Sequence, residues 1–178
     1  ICITALLRDA WQFRRKPGVD GGAATIERQE QGESRWSSKI LIAVDEDPIA
    51  AHAAEVGVEL ARSLNAQVAL VHALDPSLTF APDSGLAGEE IAIRAELDSK
   101  RLMADFRSRM PVGVNCLQFM PRGQPGEEIV KAAKEWGADA IVIGSHGRSG
   151  ISRTLVGSVA EGVMRHAPCP VLVVRAND

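Results

Sequence analysis

From residue 39 onward, short unbroken apolar runs alternate with longer stretches in which apolar residues recur every three or four positions. Ile40 to Val44 is the first run, and an uninterrupted run is what a strand buried on both faces requires. Asp47 then places an N-cap before Pro48, a proline at the first helical position. The predicted helix carries Ile49, Ala53, Val56, Leu60 and Leu64 on one face. Val68 to Val71 reads as the second strand. A loop containing Pro, Gly and Ser runs from Asp75 to Gly88, ahead of a charged helix with Ile91, Ala95, Leu102 and Phe106 in register. Val112 to Phe119 reads as the third strand, PRGQPG as a turn, and Glu127 to Trp136 as a short helix ending at Gly137. Ala138 to Ile143 is the fourth predicted strand. A Gly- and Ser-rich loop over 144–157 precedes a helix from Ser158 to about His166 and a fifth strand, Val171 to Val174. Strands alternating with helices predict an α/β domain with a parallel sheet covered on both faces. Right-handed crossovers leave few topologies for it.

Residues 1–38 lack this order. WQFRRKPGVDGGAATIERQEQGESRWSS mixes Gly, Pro, Gln and both charge signs without a sustained period. The composition predicts a flexible N-terminal extension, with the globular domain over 39–178. Arg14, Arg15 and Lys16 form a cluster too short to carry much affinity and read as a solvated tail. The chain starts at Ile rather than Met, so this need not be a native N-terminus. The opening ICITALL lacks the basic first region of a secretory signal. No run reaches the ~18 apolar residues of a membrane span.

Composition narrows the function classes. The 178 residues include 20 Lys plus Arg against 23 Asp plus Glu, net −3, which disfavours coating of duplex DNA. With no Tyr, four Phe and three Trp, base-stacking platforms are also disfavoured. Nucleic acid and membrane are therefore not expected partners. Cys2, Cys116 and Cys169 lie far apart without metal-ligand spacing, which fits a reducing, cytoplasmic setting.

The candidate chemistry sits in one loop. Gly144-Ser145-His146-Gly147 leaves a buried strand, and Gly157-Ser158 enters the next helix. Glycines let the backbone approach an anion closely. A helix start offers unpaired N–H groups and the positive end of its dipole. The Ser158 hydroxyl adds a donor, and Arg148 and Arg153 can offset phosphate charge. Together they describe a phosphate cradle at the carboxyl end of a strand, where ligands of open parallel sheets bind. His52 and His72 read as structural, and His166 as a favourable charge at a helix end. GxxxxGK[ST], GxGxxG and GxSxG are all absent. No nucleophile–base pair is visible, so a hydrolase finds little support.

These residues resemble the universal stress protein family. The resemblance rests on KILIAVDEDP at the first strand, LVHAL at the second, GQPGEEIVKAAKEWGADAIVIG, and GSHGRSGISRTLVGSVAEGVMRHAPCPVLVVR. It covers about 39–175. The family's ATP-binding pattern, G-x2-G-x9-G-[ST], is matched by Gly144, Gly147, Gly157 and Ser158, which implies the ATP-binding branch. The resemblance further implies that Ala43, Val44 and Asp45 flank the adenosine, with Asp45 near the ribose or a phosphate-bound Mg²⁺. Ala73 would contact adenine. Gly144, Ser145, His146, Gly147, Arg148, Ser149 and Gly150 would wrap the phosphates, and Ser158, Val159 and Ala160 would close the site. Two positions depart from the pattern: Ala43 stands where some ATP-binding members have Pro, and Ala160 where some have a hydroxyl.

The expected fold is thus an open, Rossmann-like five-stranded parallel sheet of order 3-2-1-4-5 with helices on both faces. The expected function is ATP binding with Mg²⁺ by a stress or signalling module without efficient chemistry. The alternatives are a slow ATPase or phosphotransferase, and a dimerisation domain without nucleotide. That strand order puts Val171, Leu172, Val173 and Val174 on a sheet edge. An uncharged edge needs a cover, which predicts a homodimer through the last strand, the alternative being that residues 1–38 fold back over the edge within one chain. The resemblance implies the same assembly.

Overall fold

In the computed structural model, residues 38–79, 88–111, 114–145 and 156–175 are described. The predicted N-terminal extension lies outside them except for Ser38. The elements are β1 (Lys39–Ala43), α1 (Pro48–Leu64), β2 (Gln67–Val71), α2 (Gly88–Ser108), β3 (Cys116–Phe119), α3 (Pro125–Trp136), β4 (Ala140–Gly144), α4 (Ser158–His166) and β5 (Val171–Val174). The strands form one sheet of order β3-β2-β1-β4-β5, and every pair is parallel. This is the expected α/β fold.

The alternation of β1 divides the core. Ile40, Ile42 and Val44 pack with buried residues of α1 and α2. Leu41 and Ala43 pack with those of α3 and α4. Two helices per face follow from the topology: the chain steps to one side of β1 through α1 and α2, then crosses to the other side through α3 and α4.

The buried stripe of α1 differs from the predicted one. Ala50, Ala53, Ala54, Gly57 and Ala61 are buried, whereas Val56, Leu60 and Leu64 are only partly so. The helix lies so close to the sheet that a Cβ on Gly57 would sit 2.6 Å from Ile42 Cδ1. Only alanine and glycine fit along that line, and the larger side chains flank it. Hydrophobicity alone had pointed to the flanks.

Three boundaries also move. β3 runs from Cys116; the predicted start at Val112 lies outside the described residues, and Val114 N–H bonds the Pro111 carbonyl (3.1 Å) in a turn ahead of the strand. α3 begins at Pro125, two residues before the predicted start. β4 begins at Ala140 because Ala138 is taken up by the α3 terminus: Gly137 adopts φ 70°, and Ala138 N–H bonds the Ala133 carbonyl. No helix among the described residues is long and apolar enough to cross a membrane.

Candidate functional site

β1 and β4 are neighbours, but the chain leaves them in opposite directions, through α1 and α4. Their diverging connections open a crevice at the carboxyl ends of the strands. Hydrogen bonds continue past the strand ends and fix its rim. Val44 N–H donates to the Val71 carbonyl (3.0 Å), and Ser145 N–H to that of Val174 (2.7 Å). The Ser145 carbonyl in turn accepts from Gly157 N–H at 2.7 Å, so the segment after β4 departs and returns at one point.

Gly157 is the N-cap of α4, with φ −63° and ψ 153°, and supplies no side-chain cap. The first-turn N–H groups of a helix have no partner within it, and here they open on the cleft. On the opposite rim, Asp45 Oδ1 accepts from Asp47 N–H (3.0 Å), and Asp47 Oδ1 caps Ile49 N–H (2.9 Å). The first bond holds the Asp45 carboxylate at the end of β1, and the second closes the start of α1.

The cleft gathers Ala43, Val44, Asp45, Ala73, Gly144, Ser145, Gly157, Ser158, Val159 and Ala160. They come from β1, the end of β2, β4 and α4, which are far apart in sequence. His146, Gly147, Arg148, Ser149, Gly150 and Arg153 lie outside the described residues. The cleft has further walls that sequence reasoning did not find. One is the start of α3, where Gln124, Pro125 and Gly126 line it without a side-chain cap. A Cβ on Gly126 would lie 3.7 Å from the Val159 carbonyl, which measures how closely α3 and α4 approach there. The other is α2, through Ile91, Ala95 and Ser99. The GQPG turn ahead of α3 was a usable signal for the first wall, and the single-chain pattern held none for Ser99.

Among the described residues, Cys116 and Cys169 stand apart from the cleft. Both are buried, and burial pushes the Cys116 thiol above its ordinary value, which disfavours a thiolate nucleophile there. His166 Nδ1 lies 2.9 Å from the Gly162 carbonyl, one turn back in the last turn of α4.

A sheet of this order, a crevice at its switch point and a glycine-capped helix start agree with one family, and its model, described as the Universal stress protein family, matches residues 37–175. The chain belongs to the universal stress protein family. It is 34% identical to Universal stress protein MJ0531 of Methanocaldococcus jannaschii, over 81% of this chain and 85% of that protein. Among solved structures it is similar to MJ0577 of the same organism, with a TM-score of 0.70, 29% identity, and coverage of 79% of this chain and 97% of that one. It is also similar to the universal stress protein from Archaeoglobus fulgidus in complex with dAMP, with a TM-score of 0.52, 25% identity, and coverage of 78% and 98%. For a universal stress protein, the switch-point cleft is the natural place to seek a ligand.

Proposed function

We propose that this universal stress protein binds ATP with Mg²⁺ in the switch-point cleft and acts as a cytoplasmic regulatory module in stress response or signalling, without efficient turnover. The first turn of α4 carries the reading. Its cap is a glycine, it lines the cleft, and Ser145 pins it beside the end of β4. A helix start in this state offers backbone donors and dipole charge to phosphate. The phosphates would meet Gly144, Ser145, Gly157, Ser158, Val159 and Ala160, together with His146, Gly147, Arg148, Ser149 and Gly150 from the intervening loop. Adenosine would lie toward Ala43, Val44 and Ala73, whose small side chains leave room for a base.

Asp45 suits a cation between carboxylate and phosphate, since Mg²⁺ takes hard oxygen ligands and shares them with its nucleotide. When bound, the metal would offset phosphate charge. Asp45 would hold it, and Asp47 N–H would hold Asp45. The dAMP in the Archaeoglobus fulgidus relative supports adenine nucleotide as the ligand class. Mass spectrometry of small molecules released from freshly purified protein, followed by calorimetric titration, tests the reading. An adenine nucleotide is expected. Empty protein that fails to bind ATP–Mg²⁺ at millimolar concentration would overturn it.

The same reading makes the protein a homodimer. β5 occupies a sheet edge, and Leu172 on it is 38% exposed. Antiparallel pairing of Val171, Leu172, Val173 and Val174 with a second copy would cover that edge. Light scattering after size exclusion should report a dimer that becomes monomeric or insoluble on Val173→Lys. A wild-type monomer at micromolar concentration would remove the claim.

A further inference from the structure

The α2 wall of the cleft holds a side-chain chain of its own. His72 Nδ1 lies 2.9 Å from the Val44 carbonyl, and its Nε2 lies 3.2 Å from Ser99 Oγ. A carbonyl can only accept, so Nδ1 carries the proton of the neutral ring and Nε2 is left as the acceptor. Ser99 Oγ–H therefore donates to Nε2. Ser99, His72 and the Val44 carbonyl are thus arranged as a nucleophile, a base and a third group that sets the base's tautomer. Both side chains line the cleft, and Ser99 is only 8% exposed.

Other helix serines behave differently. Ser63 in α1 and Ser108 in α2 donate to carbonyls three residues back, at 2.8 and 2.7 Å. That is the ordinary resting place of a helical serine. Ser99 instead reaches across 27 residues of sequence to another element. Ile91 and Ala95, two turns and one turn before it on α2, line the same wall and give it an apolar approach.

We infer that Ser99 is a reactive hydroxyl with His72 as its base, and that it takes a small apolar acyl group from an activated ester or thioester. Ser99 Oγ attacks the carbonyl carbon and forms the new C–O bond. Its proton passes to His72 Nε2. The leaving alkoxide or thiolate departs with the electrons of the broken bond, and the imidazolium then returns its proton to solvent. The Val44 carbonyl fixes the tautomer, but it carries no charge to offset the imidazolium as a carboxylate would. The outcome is a single slow acylation, a modification of the cleft wall rather than turnover.

The probe is p-nitrophenyl acetate on the full chain, with acetylated peptides mapped by mass spectrometry. Ser99 should be acetylated in preference to Ser63 and Ser108 in the same digest. His72→Asn keeps an amide donor for the Val44 carbonyl and removes the base, so it should slow Ser99 acetylation at least ~10-fold, the low side of a general base's contribution. Labelling of lysines alone, equal labelling of the three serines, or an unchanged rate in His72→Asn would overturn the inference. The comparison of serines within the wild type decides it even where a variant does not fold. Labelling is done on protein stripped of nucleotide, so its outcome is independent of ATP binding.

Discussion

The starts of α1 and α4 make an instructive pair. Each helix follows one of the two neighbouring strands at the switch point, β1 and β4, and both begin at the cleft end of the sheet. α1 is closed. Asp47 caps Ile49 N–H with its carboxylate, Ala50 N–H reaches the Asp47 carbonyl, and Asp45 secures Asp47. α4 is open, because Gly157 has no side chain with which to cap it. A carboxylate cap contributes about 1 kcal/mol to a helix. It also occupies the donors and charge that an anion would use. The contrast separates a helix start built for stability from one kept available, and the proposed phosphate position beside α4 rests on it.

The sharpest way to break this contrast is to give α4 the cap that α1 has. Gly157→Asp should weaken ATP binding at least ~100-fold, about 2.8 kcal/mol, because a carboxylate would fill the anion position. Thermal melting should hold or rise, since Asp is the better cap. Calorimetry and a melting curve read the two effects, and unchanged affinity would detach α4 from the site. A smaller effect is expected at Asp45. Asp45→Asn should weaken binding about tenfold, ~1.4 kcal/mol, and most of the sensitivity to EDTA should disappear with it. Equal EDTA sensitivity in wild type and variant would leave Asp45 only a ribose or turn contact.

Removing the cap of α1 tests the other half. Asp47→Ala should lower stability by about 1 kcal/mol in urea unfolding and leave ATP affinity within about twofold. A large loss of affinity would mean that the α1 start also reaches the ligand. The smallest effect is expected at Glu96, away from either start, where a side-chain hydrogen bond from Lys100, with the nearby Lys100 and Arg122 charges, holds the carboxyl below its ordinary value. A lowered folded-state value adds stability that is present above the ordinary carboxylate range and is lost as pH falls through the lowered value. The group is exposed, so Glu96→Gln should shift the urea midpoint slightly at neutral pH and less in acid, with ATP affinity unaltered.

Much of this was legible in the linear pattern. Unbroken runs such as Ile40 to Val44 marked central strands, because a strand covered on both faces has no polar side to show. Asp47-Pro48 marked the α1 start, and Gly137 the α3 end, through local backbone chemistry that needs no tertiary partner. The glycines and serines flanking β4 and α4 marked the candidate cradle for the same reason.

The sequence determined the elements, their order and the family, since periodicity and capping act over a few residues. Tertiary structure alone decided two other matters. It chose the Ala/Gly stripe of α1, because the contact distance to Ile42, not hydrophobicity, governs that face. It also brought Ser99 to His72, since that pairing depends on how α2 lies over β2, a relation that no local spacing encodes.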